Sequence, residues 1–256
     1  MCQLCVLTVN LRREDESDGP NNWPHRRALM ARLIREAAPV LFGTQEGRRA
    51  QIEDLHGMLS EYAISDRHRN WDLQRFYPSI FYRPELLDLL SSGDRWLSET
   101  PELHASKSWG SAFPRLATWA RFRTREDRRE LLFACAHLDH IEPRAREGQA
   151  RALADLLAAV NPDRVPLILV GDFNDVPGSR PYAILTSALR DAWLEKNPSS
   201  LDQNTWHGFS GKGEKGRLDW ILVSRAVQVL SAHILRTSYA DAFPSDHFPV
   251  RADLTF

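Results

Sequence analysis

A run of Val, Leu and Ile at residues 165–171 is the feature of this 256-residue chain that most constrains its fold. The run shows no polar alternation, so it predicts a strand that is buried on both faces. Such a strand needs packed layers on either side of its sheet. The chain is therefore predicted to be α/β, with strands inside and helices outside, and it is long enough to bury a substantial core.

Apolar periodicity along the rest of the chain alternates between strand and helix. Strands dominate the middle, helices occur in both halves, and no Gly/Ser-rich linker or repeat separates them. We therefore expect a single domain over residues 1–256 with two packed mixed sheets. The predicted helices are 23–38, 48–59 and 144–160, and the predicted strands are 4–10, 39–45, 79–83, 86–97, 116–122, 130–137, 165–171, 218–224, 227–235 and 250–254.

The charge balance gives no support to a nucleic-acid partner. The 33 Lys and Arg residues nearly equal the 34 Asp and Glu residues, for a formal net charge of -1. Proteins that bind nucleic acid usually carry a basic patch or a basic total. The arginines clustered at 121–129 are predicted to lie in a solvated turn between two strands, so a nucleic-acid substrate stays open without help from charge.

The chain has three cysteines, Cys2, Cys5 and Cys135. This number is small and odd, which does not fit a disulfide framework. A strand points Cys2 and Cys5 to opposite faces, and no second pair completes a zinc site, so all three are predicted to be small core residues. The sequence has no signal-peptide pattern and no apolar run long enough to cross a bilayer. We expect a monomeric cytoplasmic protein without a transmembrane segment, or a secreted one if a leader was removed.

The most specific motif directly follows the buried run. In Gly171-Asp-Phe-Asn174, the strand delivers Asp172 and Asn174 to its carboxyl end, where both face one ligand if the chain turns there. An Asp/Asn turn without a ligand is the equally weighted alternative. The motif alone leaves the two interpretations open.

Further polar residues stand beside other predicted strands. Asp219 interrupts an apolar strand, and a buried acid is costly unless it is paired. His247, in a loop between two prolines, is its natural partner. One or two such placements would arise by chance, but six strand ends predict a common site beyond one edge of the sheets: Asn10, Glu46, His137, Asp172, Asp219 and the Asp246-His247 pair.

Four short motifs, in their order along the chain, resemble those of the endonuclease/exonuclease/phosphatase superfamily, whose members include deoxyribonuclease I. The motifs are Gln45-Glu46, Gly171-Asp-Phe-Asn174, Leu218-Asp219 and Ser245-Asp-His247. The match runs from Val9 to the C-terminus. The resemblance implies a four-layered α/β sandwich, in which helices flank two packed mixed β-sheets. It places the site at one end of the paired sheets. Within the superfamily, the chain resembles an uncharacterised bacterial branch.

The resemblance also implies a metal site. Glu46 would be the principal Mg²⁺ ligand, with Asn10 beside it and Asp246 on the outer side of the metal, and Mn²⁺ may substitute in such sites. Mg²⁺ prefers hard oxygen ligands, which agrees with these residue types.

The remaining residues receive catalytic roles from the same resemblance. Asp172 would orient or deprotonate the attacking water, and Asn174 would hold that water and the phosphate. His247, polarised by Asp219, would stabilise charge in the transition state. His137 would bind the phosphate or protonate the leaving oxygen. Phosphoryl transfer is accelerated mainly by such positioning and charge stabilisation.

The chain departs from the deoxyribonuclease-like pattern at one position. A Glu that partners the first His is expected about seven residues before Arg83, where this chain has Phe76. Asp139 or another acid is expected to partner His137 in its place. His140 is predicted to be an inert surface residue.

Arg115 and Trp109 are the predicted substrate-binding residues, because Arg suits bidentate phosphate contacts and Trp can stack on a base or sugar. Trp23 with Arg26 or Arg27 is a weaker candidate, since these residues also suit the anchoring of a helix start.

These features predict a Mg²⁺-dependent phosphoesterase that hydrolyses a phosphodiester by metal-assisted in-line attack of water. The alternatives are a DNA or RNA nuclease of the same fold, or a phosphomonoesterase acting on a sugar or inositol phosphate, which would need extra Lys or Arg near the phosphate. A non-catalytic domain would be expected to have lost one of the site residues. Specificity is predicted to lie in the loops 67–77, 101–115 and 205–215.

Overall fold

Two mixed β-sheets form the centre of the computed structural model, which describes residues 3–200 and 202–256. The strand over 165–171 begins at Leu167 and extends to Asp172, and every one of its residues is buried. In chain order the strands are Gln3–Asn10 (β1), Leu41–Gln45 (β2), Ala63–Ile64 (β3), Ser79–Tyr82 (β4), Leu87–Trp96 (β5), Leu116–Thr124 (β6), Glu130–His137 (β7), Leu167–Asp172 (β8), Arg190–Asp191 (β9), Asp219–Val223 (β10), Gln228–Ile234 (β11) and Val250–Thr255 (β12).

Each sheet contains one parallel strand pair near its centre. The first sheet has the order β11-β12-β1-β2-β4-β3, in which β1 and β2 are parallel. The second has the order β5-β6-β7-β8-β10-β9, in which β7 and β8 are parallel. The parallel partners end at the same edge of their sheet, so their carboxyl ends lie side by side.

Five α-helices cover the sheets within the described residues: Trp23–Ala37 (α1), Arg49–Met58 (α2), Pro143–Val160 (α3), Arg180–Thr186 (α4) and Ala192–Lys196 (α5). The start of α1 follows from local chemistry, because the Asn22 side chain accepts a hydrogen bond from Trp23 N and Pro24 occupies the first turn. The helix ends at Ala37, and the next residue, Ala38, has a left-handed backbone. None of the helices in residues 3–200 and 202–256 combines the length and apolar character needed to cross a membrane.

Three apolar cores hold four layers together. Side chains of β1, β7 and β8, such as Val6, Phe133 and Val170, fill the space between the sheets. The apolar faces of α1 and α2 pack on the outer side of the first sheet, and those of α3 and α4 pack on the second. This arrangement confirms the predicted four-layered α/β sandwich of two packed mixed sheets flanked by helices.

The cysteine predictions have different outcomes. Cys135 is fully buried between the sheets, as expected. Cys5 is only half-buried, so the prediction that it is a core residue is wrong for that position. Cys2 lies outside the described residues.

Gly171 in β8 lies so close to β7 that a side chain at this position should destabilise the protein. A Cβ on Gly171 would lie 2.2 Å from the backbone oxygen of Ala136, so one strand would have to move. We expect Gly171→Ala to lower the free energy of unfolding by about 1–3 kcal/mol, measured by urea denaturation. Gly57→Ala in α2 is the control: its Cβ would meet nothing within 4 Å and should be neutral or stabilising. Equal stability of Gly171→Ala and the unaltered protein would contradict this packing.

Candidate active site

Strand register brings the predicted site residues to one edge of the two sheets. Asp172, the last residue of β8, pairs with His137 at the end of β7 and with Asp219 at the start of β10. In the other sheet, Asn10 pairs with Gln45, the residue before Glu46. The two edges meet where Asn10 Nδ2 donates to Asp172 Oδ2 at 2.9 Å. The polar strand ends therefore form one cluster, as the sequence predicts.

Glu46 is held as a carboxylate. Its backbone is left-handed, with a φ of 64°, which turns the side chain away from the end of β2. Burial alone would raise its pKa, but hydrogen bonds from Arg13 N and Asn10 Nδ2, both 3.1 Å long, outweigh burial and keep the pKa of Glu46 below its usual value. Glu46 is thus ionised and suited to bind a cation.

Asn10 orients the acids around it. Its Nδ2 donates to Glu46 and Asp172, while its Oδ1 accepts from Arg12 N at 2.8 Å. The prediction made Asn10 a metal ligand beside Glu46. In this arrangement the amide nitrogen, not the oxygen, faces the two carboxylates, because the oxygen is engaged by the backbone.

Asp172 lies at the centre of the cluster and is almost completely buried. Burial raises the pKa of its carboxyl to about 7, against the lowering effect of the nearby His247 charge. Its Oδ1 accepts from Asn174 N at 2.9 Å, which fixes the turn after β8. A carboxylate with a pKa near neutrality can accept a proton at physiological pH.

His247 carries a positive charge. Its Nδ1 lies 2.9 Å from Asp219 Oδ2, and its Nε2 lies 3.8 Å from Asp172 Oδ2. Burial lowers the pKa of His247, but the charges of Asp219 and Asp172 outweigh burial and hold the pKa well above the ordinary value. The geometry leaves the imidazolium Nε2 directed to the centre of the site.

His137 has a guanidinium as its partner instead of an acid. Its Nδ1 lies 3.1 Å from Arg115 Nη1, and its Nε2 lies 2.9 Å from Asn174 Nδ2 and 3.5 Å from Asp172 Oδ2. Burial and the Arg115 charge lower the pKa of His137 well below its ordinary value, so the ring is neutral. A guanidinium only donates, so Nδ1 accepts and the proton is assigned to Nε2; the Asn174 amide nitrogen, itself a donor, is then a neighbour of this N–H and not its hydrogen-bond partner.

Asp139 does not take the place of the missing Glu. It is completely buried and accepts hydrogen bonds from the backbone nitrogens of Ala112, Ile141 and Glu142, which are 2.8, 2.9 and 2.8 Å away. The prediction that Asp139 partners His137 is therefore corrected: Asp139 fixes the loops on either side of the site. Arg115, the residue just before β6, is the neighbour of His137.

His140 lines the cleft instead of facing away from it. Its Nδ1 accepts from Arg115 Nη2 at 3.1 Å, and its ring stacks on Phe113 with centroids 5.7 Å apart. His140 is exposed, as the sequence predicts, but its place in the cleft had no signal in the sequence, because His140 lies past the strand in a loop whose direction no periodicity sets.

Arg26 is a second residue whose role the sequence did not resolve. Its buried guanidinium donates to the backbone oxygens of Leu11, Arg12 and Pro244, and its Nε donates to that of Asn21 at 2.7 Å. It thereby ties the chain after Asn10 to the loop before Asp246. Arg26 positions two segments that carry residues of the cluster, and it anchors the start of α1.

The cluster lies at the bottom of a cleft with a volume of about 670 Å³. The main part of its wall alternates charged and aromatic side chains. Among the residues of the cluster that line it are His137, Asp172, Asn174, Asp246 and His247. Further residues of the wall are Arg12, Arg13, Phe76, Phe113, Arg115, Trp206, Phe209 and Lys215.

Trp109 does not line this cleft. Its ring packs against α3 so closely that a Cβ on Gly148 would come within 2.3 Å of Trp109 Cδ2. The predicted substrate contact of Trp109 is therefore corrected to a packing contact. Trp206, which the sequence did not single out, is the tryptophan of the cleft wall.

Oxygen and nitrogen donors at the bottom of the cleft are close enough to hold a metal ion. One atom from each of Glu46, His137 and Asp172 lies within 4.8 Å of the other two, and the same is true of Asp172, Asp219 and His247. Asp246 is in neither group, although it lines the same cleft. Burial raises the pKa of Asp246, and the Glu46 charge adds to that effect, so a cation between these acids would relieve their repulsion.

Comparison with known proteins agrees with this geometry. The model of the endonuclease/exonuclease/phosphatase family matches residues 7–247. The chain therefore belongs to this family, which confirms the resemblance drawn from the motifs.

Solved structures show the same fold over the whole chain. A mannosyl-6-phosphatase from Bacteroides thetaiotaomicron is 29% identical, with a TM-score of 0.90 and coverage of 99% of this chain and 100% of that chain. A family protein of the same organism is also 29% identical, with a TM-score of 0.89 and coverage of 99% and 97%. The catalytic domain of human nocturnin is 21% identical, with a TM-score of 0.78 and coverage of 99% and 93%, and shows the fold alone. No curated protein matches the sequence.

The fold, the acidic and histidine cluster and the family together define the class of reaction. The protein is a phosphoester hydrolase of the deoxyribonuclease I-like fold.

Proposed function

We propose that this hydrolase is a Mg²⁺-dependent phosphatase that removes a terminal phosphate from a sugar-type phosphomonoester. The observation that carries the proposal is the set of cations in the cleft. Arg115 and Lys215 line it, and neither forms an ion pair with an acid among residues 3–200 and 202–256. The sequence favoured a phosphodiester and made extra Lys or Arg the mark of a monoesterase, so the cleft shifts the preference.

Charge explains why these residues favour a monoester. A phosphomonoester carries close to two negative charges at neutral pH, because its second pKa is about 6, whereas a diester carries one. Arg115 is buried, its Nε has no hydrogen-bond partner, and burial lowers its pKa from the usual value. A dianionic phosphate would compensate this buried cation. Similarity to the mannosyl-6-phosphatase supports the same substrate class.

The residues present fit a Mg²⁺ ion. Glu46 is ionised, and Asp246 is a buried acid whose pKa is raised by burial and by the Glu46 charge. Hard carboxylate oxygens are the ligands that Mg²⁺ prefers, and imidazole is not, so we assign the ion to Glu46 and Asp246 rather than to His137. Asn10 keeps Glu46 in place. When bound, Mg²⁺ would polarise the phosphoryl group and stabilise its developing charge.

The other residues have separate roles in the proposed reaction. Asp172 accepts a proton from the water that attacks phosphorus in line with the leaving alcohol oxygen. Asn174 holds that water and a phosphoryl oxygen. The His247 imidazolium donates to a phosphoryl oxygen, and Asp219 maintains its charge. His137 is neutral, so it donates Nε2–H to the phosphate, and solvent protonates the leaving alcohol.

A phosphodiester remains the second candidate. The cleft has a volume of about 670 Å³, and its wall also contains Phe76, Phe113 and Trp206, which leaves room for two ester groups. A nuclease reaction has less support, because the formal net charge is -1.

The two candidates are separated by a matched substrate pair. With Mg²⁺ present, kcat/KM for para-nitrophenyl phosphate should exceed that for bis(para-nitrophenyl) phosphate by about 10- to 100-fold, the value of one added charged hydrogen bond. Mannose 6-phosphate should release inorganic phosphate. Lys215→Met should reduce the monoester preference, whereas Lys212→Met, on the same loop outside the cleft wall, should not. A higher kcat/KM for the diester would overturn the monoesterase proposal.

A further inference from the structure

A second cavity opens directly from the active-site cleft. It has a volume of about 450 Å³ and shares three wall residues, Arg13, Phe76 and Phe113, with the cleft. A phosphoryl group alone fills only a small part of a pocket of several hundred Å³. The two connected cavities therefore have room for a substrate that extends well beyond the phosphate that is removed.

Arginines dominate the polar wall of this second cavity. Arg13, Arg48 and Arg75 line it, against the acids Glu14 and Asp15. Arg13 pairs with Asp15 at 3.1 Å, and Arg75 pairs with Asp72 at 3.3 Å. Arg48 forms no ion pair within residues 3–200 and 202–256, and its guanidinium lies over the Phe76 ring, 5.0 Å from the centroid. The ring holds a free planar cation at the boundary between the two cavities.

The backbone places this arginine group next to the catalytic cluster. Arg13 N donates to Glu46 Oε2 at 3.1 Å, so the residue that lines both cavities is hydrogen-bonded to the proposed metal ligand. Arg48 follows Glu46 by two positions, and its side chain is exposed to the cavity. A substrate with its phosphate at Glu46 would thus reach Arg13 and Arg48 with its next polar group.

We propose that this second cavity is a subsite for a second anionic group of the substrate, a phosphate or a carboxylate. The inference rests on the proposed phosphatase function and names its substrate class: phosphorylated compounds that carry another anion away from the phosphate to be removed. Arg48, with Arg75 beside it in the wall, binds that anion, and the aromatic pair Phe76 and Phe113 contacts the ring that joins the two groups. Guanidinium groups suit planar, bidentate contacts with either anion.

The proposal is tested by binding, which does not depend on turnover. Isothermal titration calorimetry of the Asp172→Asn protein in Mg²⁺ compares mannose 6-phosphate with mannose 1,6-bisphosphate. We expect the dissociation constant of the bisphosphate to be about 10- to 100-fold lower, which corresponds to the binding free energy of one charged hydrogen-bonded contact. Arg48→Gln combined with Arg75→Gln should bring the two dissociation constants close together. Arg49→Gln, the neighbouring arginine that pairs with Glu53 and lies outside the wall, is the control and should keep the preference.

The outcomes separate this inference from the proposed function. Equal binding of the two sugar phosphates, or a preference that survives the Arg48 and Arg75 substitutions, would overturn the second subsite while leaving the phosphatase proposal in place. Binding of neither compound, by a folded protein, would contradict both.

Discussion

Replacing Asp172 by Asn should lower kcat by about 100- to 10,000-fold, the usual contribution of a general base. The amide has the same shape and can still accept from Asn174 N, but it cannot take a proton from the attacking water. Burial raises the pKa of Asp172 to about 7, which makes this carboxylate an effective proton acceptor near neutral pH. The measurement is steady-state release of phosphate in Mg²⁺.

The control for this prediction is Asp163→Asn, which makes the same chemical change on an exposed side chain that pairs with Arg121. It should leave kcat unchanged. Circular dichroism and thermal unfolding of both variants establish that the fold is retained. A kcat for Asp172→Asn within tenfold of the unaltered enzyme would contradict the assignment of Asp172 as the base.

The second large effect is expected at His247. His247→Gln removes the imidazolium charge but keeps a hydrogen-bonding side chain, and kcat should fall by about 100- to 1,000-fold with a much smaller change in KM. The reason is that the contact strengthens as negative charge develops on the phosphoryl oxygens. Asp219→Asn should reduce kcat in the same direction, because Asp219 maintains the His247 charge.

His233→Gln, at an exposed position of β11, is the matched control and should behave like the unaltered enzyme. If His247→Gln raised KM and lowered kcat by equal factors, the residue would serve ground-state binding and not the transition state. Thermal unfolding is needed beside the kinetics, since the substitution leaves the buried Asp219 carboxylate without its charged partner.

Much of the fold follows from side-chain patterns along the chain. The strand over 165–171 has the continuous apolar sequence of a strand between two packed layers, and it lies there. The predicted helix 23–38 begins at the same residue as α1, because Asn22 and Pro24 fix the start. It ends one residue beyond the end of α1. The two-residue strands β3 and β9 were not predicted, because two residues are too few to show any period.

The candidate site was predictable where its residues end strands. Asn10, Asp172 and His137 end neighbouring or facing strands, so the sheet edge alone brings them together. The contact between Arg115 and His137 also had a signal in the sequence. The strands 116–122 and 130–137 form a hairpin, and its register, with Ala117 opposite Ala136, places the start of one strand beside the end of the other.

Other features of the site had no local signal. Arg26 and Pro244 are separated by 218 positions, and their contact depends on how α1 and the last loop pack. The orientation of the Asn10 amide depends on the rotation of one side chain between two sheets. Periodicity describes which face of an element is buried, and it contains no information on either feature.

The central claim is that a metal ion at Glu46 drives phosphate ester hydrolysis in this cleft. The most direct test removes bound metal with a chelator and then measures para-nitrophenyl phosphate hydrolysis while Mg²⁺ is added back. The unaltered enzyme is compared with Glu46→Gln, and Glu53→Gln, at an exposed position, is the control. Activity should be absent without metal and return with Mg²⁺ in the unaltered and Glu53→Gln proteins, while Glu46→Gln needs far more Mg²⁺ or stays inactive. Full activity of the stripped enzyme, or an unchanged Mg²⁺ requirement in Glu46→Gln, would contradict the claim.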